Sequence, residues 1–221
     1  MKKTLLFVSL IILAACTKED NITISDGTYE SNGTILVTPA ILYTKDGSIT
    51  DVKIISDYLQ RKSLNGIFTL KSGNDTTSDN VSFVFKGTTV SRTDTRTQYD
   101  VVYKEAGFAL IVEQDTAWAS GINMTELNCQ NVALKIRQNV APRNCLYTAV
   151  GQYCGFKQQF PIVKNGSSLN LPVINFHFTQ TSSCEYREPN ALDFFNTDIL
   201  SELQATDTLL VQTSTIPLYK K

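Results

Sequence analysis

The sequence predicts a mainly β protein, an antiparallel barrel or sandwich of about nine to ten strands with one or two short helices. Apolar and polar residues alternate over most of the chain, as at Val81, Phe83 and Phe85, and this period of two is typical of half-buried strands. Turn residues interrupt the alternation at short intervals, and helical periodicity is rare. Many short strands with few helices favour a closed or nearly closed antiparallel sheet.

Two hairpins are predicted where glycine-containing turns join apolar runs. The first turn ends at Gly107 and joins 101–103 to 108–112, because glycine readily adopts the positive φ that such a turn requires. The second turn is Asn165-Gly166, with arms at about 153–163 and 168–180. The apolar phase of its second arm changes after Pro172, which predicts a bulge or bend. The other strand candidates are 28–37, 40–44, 67–71, 81–86, 132–136 and 208–218.

The later part of the chain, with these long up-and-down hairpins, resembles a calycin-type or lipocalin-like barrel. The resemblance is architectural and favours the barrel over the sandwich. It implies a cavity that would hold a small apolar ligand.

The clearest helix candidate covers about 49–61. Val52, Ile55 and Leu59 recur at spacings of three and four residues, so they would share one face of a helix. Ser48 followed by Asp51 resembles a capping box at its start. We therefore expect a helix docked on the β structure through Leu59.

A second short helix is predicted over 197–203, where Asn196 or Thr197 would cap the first turn. The stretch 72–80 contains no apolar residue and predicts an exposed loop. Its Asp75 and Asp79 lack the ligand spacing of an EF-hand calcium site, so the loop is predicted to be solvated.

The N-terminus carries a targeting pattern. Lys2 and Lys3 precede an apolar run at 5–13, and the string LAAC occupies 13–16, an arrangement typical of a secretory signal peptide. LAAC also resembles the lipobox of bacterial lipoproteins, which implies that Cys16 is lipidated and becomes the first mature residue. We predict a signal peptide at 1–15, a lipidated tether at 16–26 and a single β-rich domain at 27–221.

The lipobox resemblance implies attachment to a membrane through the lipid, as an outer-membrane lipoprotein that is periplasmic or surface-exposed. Lys18, Glu19 and Asp20 follow the lipidated cysteine. They are similar to the export signal of surface-exposed lipoproteins in the Bacteroidetes, although an ordinary polar spacer would have the same composition.

Four cysteines remain after Cys16, and an even number in an exported protein predicts two disulfides. They are Cys129, Cys145, Cys154 and Cys184. Pairing across the second hairpin brings Cys184 level with about position 147, which favours Cys145–Cys184 and, by elimination, Cys129–Cys154. The chain has no Cys-x-x-Cys pair and a single histidine, so no metal site is predicted.

That histidine, His177, shares a strand face with Asn175 and Thr179 in the predicted alternation, opposite two phenylalanines. We expect it to face solvent if the phenylalanines form the core. No nucleophile motif accompanies it, so we predict no catalytic role. The formal net charge of −1 lacks the basic excess that nucleic-acid binding requires.

Two further groups are site candidates. Trp118 is the only tryptophan, and its place beyond the end of a strand predicts a loop position, where it would anchor a ligand or cover the barrel end as core. Glu185, Glu188 and Asp193 form an acidic stretch that predicts a solvated loop. Paired carboxylates are also the machinery of glycoside hydrolysis.

The sequence therefore predicts a lipid-anchored, non-catalytic binding module without a cofactor. A small ligand, a glycan or a protein would be its partner, and Trp118 the residue to test. The alternatives are an accessory subunit of an envelope complex and a hydrolase that uses the acidic residues.

Overall fold

The structure is a computed structural model that describes residues 22–221 apart from 77–79, 94–96, 104–106, 116, 121–131, 140–142, 149–150 and 181–183. At positions 103, 117–120, 132–133, 143–148 and 151–156, only the backbone is described.

The described elements are strands and three short helices. The strands are β1 (Gly27–Ser31), β2 (Thr34–Val37), β3 (Ile41–Thr44), β4 (Gly47–Ile49), β5 (Gly73–Thr76), β6 (Ser82–Lys86), β7 (Thr89–Arg92), β8 (Gln98–Tyr103), β9 (Phe108–Glu113), β10 (Ala117–Ser120), β11 (Arg143–Thr148), β12 (Gly151–Phe156), β13 (Gln159–Asn165), β14 (Ser168–Gln180), β15 (Cys184–Ala191) and β16 (Asp207–Lys220). The helices are α1 (Val52–Arg61), α2 (Val132–Ile136) and a 3-10 helix (Thr197–Glu202).

Eight antiparallel strands close into a barrel, in the order β14, β13, β9, β8, β7, β6, β1 and β16. Closure is made by β16, which pairs with β14 from Leu169↔Leu218 to Gln180↔Asp207. The prediction of an antiparallel barrel is confirmed. Strands β10, β12 and β11 form a separate three-stranded sheet.

The barrel interior is filled by side chains from the inward face of each strand. Phe160 lies at its centre, with its ring 5.5 Å from that of Phe83 and 5.4 Å from that of Tyr99. An eight-stranded barrel is just wide enough for such packing. Ile22 and Ile24 are buried in the same cluster, so residues predicted to belong to the tether are part of the fold.

Strands β14 and β16 extend beyond one end of the barrel and form the centre of a second group of paired strands, which we call the upper sheet. Their upper halves pair with β15 on one side and with β3 and then β4 on the other. Helix α1 covers one face through Ile55 and Leu59, which pack with Leu210. The other face is covered by the 3-10 helix and α2, where Ile199 packs with Phe176 and Phe178.

The apolar phase change after Pro172 predicts a bulge or bend, but it arises from this double covering. The register of β14 against β16 is uninterrupted, and an irregularity occurs only against β15, between Ile174 and Phe176. Odd-numbered residues up to Val173 face the barrel interior. Even-numbered residues from Ile174 onward are buried because helices cover what would otherwise be the barrel's outer face.

The helix at 49–61 is confirmed as α1, but its cap differs from the prediction. Asp51 is the N-cap, and its carboxylate accepts hydrogen bonds from the backbone N–H groups of Lys53 and Ile54. Ser48 lies in β4 instead. The second helix is confirmed as a 3-10 helix that is capped by Asn196.

Three segment predictions are wrong. Residues 132–136 form α2 and not a strand, because five alternating residues cannot distinguish the two periods. Residues 67–71 form no strand. Part of the expected loop 72–80 is β5, which pairs with β2, so hydrogen bonding to an edge strand orders a segment that buries no apolar side chain.

The hairpin around Asn165-Gly166 is confirmed over its turn, but its first arm is shorter than predicted. β13 begins at Gln159 and pairs with β14 from Val163↔Asn170, whereas β12 belongs to the separate sheet. Cys184 lies opposite Gln180 across the β14–β15 pair. The register that favoured Cys145–Cys184 is therefore wrong.

Cys184 is disulfide-bonded. In the described backbone, Cys145 lies opposite Cys154, while Cys129 lies outside the described residues. Because the side chains of the three possible partners are not described, the two disulfide pairs stay a prediction.

Candidate functional site

A polar cleft opens at the mouth of the barrel, where β14 and β16 leave it for the upper sheet. It has a volume of about 450 Å³. Its floor is formed by β14 and β16, and its walls by β2, β5, the end of β15 and residues 66–69. Its polar lining consists of Thr69, Asp75, Thr76, Asn175, Asn190, Gln212 and Ser214. We call it the mouth cleft.

Two buried amides hold the walls of the mouth cleft in place. Gln212 donates from Nε2 to the carbonyls of Thr38 (2.6 Å) and Thr69 (3.1 Å), and its Oε1 accepts from the Thr69 N–H. Asn175 donates to the Ile67 carbonyl and accepts from the backbone N–H of Asn190 at 2.6 Å. These bonds tie the segment after α1 and the end of β15 to the floor.

Ser214 differs from these amides. Ser214 is only 5% exposed. Its Oγ is a buried polar atom without a hydrogen-bond partner among the described residues. A buried hydroxyl without a partner costs about 1–3 kcal/mol, so a ligand group that bonded to it would recover that free energy. Ser214 is the clearest unsatisfied polar group of the mouth cleft.

The lining suits an uncharged polar ligand. It contains amides, hydroxyls and one carboxylate, Asp75, whose Oδ1 accepts from the Thr76 N–H at 2.8 Å. Among its described residues there is no lysine, arginine or histidine to bind an anion. One aromatic ring, Phe68, lines the same cleft and is mostly buried.

His177 lies beside the mouth cleft, two residues from Asn175 on the same strand face. The prediction that it faces solvent is wrong, because α1 covers this face and leaves His177 0% exposed. Its Nδ1 lies 2.9 Å from the Tyr58 hydroxyl, and its Nε2 lies 2.7 Å from Glu185 Oε1. Lys62 Nζ contacts the other oxygen of Glu185 at 2.9 Å. We call these four residues the His177 clamp.

The proton positions in the His177 clamp follow from its partners. The Glu185 carboxylate only accepts hydrogen bonds, so Nε2 carries the proton of the neutral ring and donates it to Glu185. Nδ1 then accepts from the Tyr58 O–H. Burial lowers the pKa of His177, partly opposed by Glu185. The hydrogen bond from His177, followed by that from Lys62, lowers the pKa of Glu185.

The acidic stretch does not form the predicted solvated loop. Glu185 and Glu188 lie in β15, and Glu188 contacts Arg137 at 3.5 Å. Asp193 is 0% exposed, and burial raises its pKa, although hydrogen bonds from Asn139 oppose this. Sequence reasoning missed this burial because residues 132–136, which lead to Arg137 and Asn139, were predicted to be a strand and form α2 instead.

Trp118 lies in β10, opposite Gly155 of β12, so its predicted loop position is wrong. Its side chain lies outside the described residues, as does Cys16. Within the described part of the chain, no group of acidic, histidine and cysteine side chains could hold a metal ion. No described helix is long and apolar enough to cross a membrane.

The chain matches no protein-family model, no curated protein and no solved structure.

Proposed function

We propose that this protein is a lipid-anchored cell-envelope protein that binds a neutral glycan in the mouth cleft without catalysing a reaction. The observation that carries the proposal is the unpartnered Ser214 hydroxyl in a cleft lined by amides and hydroxyls. Sugar hydroxyls both donate and accept hydrogen bonds, and they carry no charge that would need a cationic partner.

The filled barrel supports a glycan over a small apolar ligand. The described inward side chains pack on one another, from Tyr29 at one end to Val173 near the other. The polar mouth cleft lies at the edge of this cluster, which contributes Ile35 and Val37 to its lining. Ligand sites in barrels are commonly at the mouth, and loops there vary without disturbing the core.

The lack of a catalytic role is supported by the partners of the titratable groups. Both nitrogens of His177 are engaged within the His177 clamp. Glu185 and Glu188 are paired with Lys62 and Arg137. None of these side chains lines the mouth cleft.

Replacing Ser214 by alanine should weaken glycan binding about three- to tenfold, which corresponds to one neutral hydrogen bond of about 0.5–1.5 kcal/mol. The melting temperature should stay the same or rise, since the variant removes a buried polar atom that has no partner. The measurement is an array of neutral, sulfated and uronate glycans, followed by calorimetric titration of the best neutral glycan. Ser56→Ala, on the exposed face of α1, is the matched control.

Equal affinity of Ser214→Ala and the wild-type protein would show that the Ser214 hydroxyl does not contact the ligand. Binding of sulfated or uronate glycans alone would contradict the neutral-ligand proposal.

The lipid anchor is tested separately. Cys16→Ser should abolish incorporation of labelled fatty acid and leave the precursor uncleaved, because lipidation of the cysteine precedes cleavage in the lipoproteins that the lipobox resembles. N-terminal sequencing of the wild-type protein should show a blocked chain that begins at Cys16. A mature terminus at another residue would contradict the anchor.

A further inference from the structure

The His177 clamp joins α1 and β15, which lead to two of the walls of the mouth cleft. Tyr58 lies in α1, and the chain runs from α1 through Leu64 to the wall at 66–69. The Leu64 N–H donates to the Leu59 carbonyl and the Ile67 N–H to the Leu64 carbonyl, and these bonds restrain the conformation of the connection. Glu185 lies in β15, which ends beside the cleft at Asn190. Both walls are therefore linked through one imidazole in the central strand.

Both ring nitrogens of His177 keep their present hydrogen-bond partners only while the ring is neutral. A second proton on Nδ1 would remove the acceptor of the Tyr58 O–H, which would have to turn towards Thr208 Oγ1 (3.2 Å) or Thr179 Oγ1 (3.4 Å). Both distances are longer than the present 2.9 Å bond to Nδ1. Protonation thus exchanges a good hydrogen bond for a poorer one.

Burial is the largest factor against protonation of the ring, and two nearby charges add to it. Lys62, the C-cap of α1, and Arg187 of β15 both disfavour the cation, whereas the Glu185 carboxylate favours it. Glu185 is half exposed to solvent, so water weakens its attraction. β16 presents the apolar Leu210 opposite the ring, and Thr208 is uncharged. A protonated ring would be hydrated only if α1 moved away.

From this geometry we infer that the His177 clamp is an acid-sensitive latch, which loosens α1 and the wall at 66–69 when His177 is protonated and so releases the ligand of the mouth cleft. The inference rests on the proposed function for the identity of the ligand. The latch itself depends only on the contacts of His177.

The direction with pH follows from the lowered pKa of His177. Solvated histidine has a pKa of about 6.5, so the loosened state binds a proton at a higher pH than the latched state. The latch is therefore at full strength above about pH 6.5 and weakens as the pH falls towards the lower pKa of the folded protein.

The test is amide hydrogen exchange at pH 7.5 and 5.5, corrected for intrinsic exchange rates, on the chain without a histidine tag. Protection of α1 and residues 62–70 should fall about tenfold at the lower pH, since one pKa unit corresponds to a tenfold change in an equilibrium. Amides of β8 and β9 serve as the internal reference. In His177→Gln, which keeps a neutral amide at this position, protection should not depend on pH.

Unchanged protection in the wild-type protein would overturn the latch, and so would an equal loss in His177→Gln. If that variant does not fold, the titration of His177 in Glu185→Gln tests the clamp instead. Because His177 is the only histidine in the chain, one imidazole resonance reports its titration. Glu185→Gln should move that titration to lower pH, and an unmoved titration would contradict the clamp.

Ligand release is measured last, by titrating the best neutral oligosaccharide of the array at both pH values. We expect about tenfold weaker binding at pH 5.5 in the wild-type protein and no change in His177→Gln. Equal affinity at both pH values would overturn the release step. If no glycan binds, the proposed function fails, while the exchange data still decide whether the latch exists.

Discussion

Leu59→Asp is expected to lower the free energy of unfolding by more than the roughly 2–5 kcal/mol that removal of a buried leucine side chain costs. Leu59 is 3% exposed and packs in the cluster between α1 and the upper sheet. The substitution removes this packing and also places a carboxylate among apolar side chains, where an unpaired charge is costly. The variant should be unfolded or strongly destabilised in urea titration.

The control for Leu59→Asp is Ser56→Asp, on the exposed face of the same helix, which should change stability by less than about 0.5 kcal/mol. Lys62 looks equally suitable in the sequence, since it lies off the apolar stripe. It is unsuitable because it forms an ion pair with Glu185 in the His177 clamp. Equal midpoints for Leu59→Asp and Ser56→Asp would mean that α1 is not docked.

Asp193→Ala is expected to cost about 3–5 kcal/mol, the usual effect of removing one partner from a buried polar network. The Asp193 carboxylate accepts from Asn139 Nδ2 at 2.7 Å and from the Phe194 N–H at 2.7 Å. It also lies 3.6 Å from Arg137 Nε. Without the carboxylate, these donors would lose their acceptor in a site that is largely shielded from water.

The matched control is Glu202→Ala. Glu202 also pairs with a basic residue, Lys135 of α2, but its side chain is 42% exposed. Lys135 is 9% exposed, but water solvates the Glu202 side of the pair, and ion pairs that reach solvent are worth about 0–1 kcal/mol, so the loss should stay well below that for Asp193→Ala. A loss for Asp193→Ala no larger than that for Glu202→Ala would contradict the structural role of Asp193.

Much of the barrel could be predicted because its signals are local. The alternation at Val81, Phe83 and Phe85 records which side chains face the barrel interior, and all three are buried. The turns at Gly107 and Gly166 both have positive φ, as their sequences predicted. The apolar stripe of α1 likewise follows from spacing within ten residues.

The candidate site could not be predicted, since its members are far apart in the chain. His177 meets Tyr58 across 119 residues, and the strand pattern alone cannot show that a helix covers the face they share. Ser214 is one of many polar residues in alternating strands. Only the departure of β14 and β16 from the barrel makes it a buried group at the floor of a cleft.

The sequence by itself determined the β class, the strand faces and the docking face of α1, because each depends on which residues of one segment are apolar. It also contains the targeting pattern that motivates the lipid anchor. Only the tertiary structure decided that His177 and Asp193 are buried and that the mouth cleft is polar. Burial of a polar residue depends on which other segment covers it, and that pairing is set by the closure of the whole sheet.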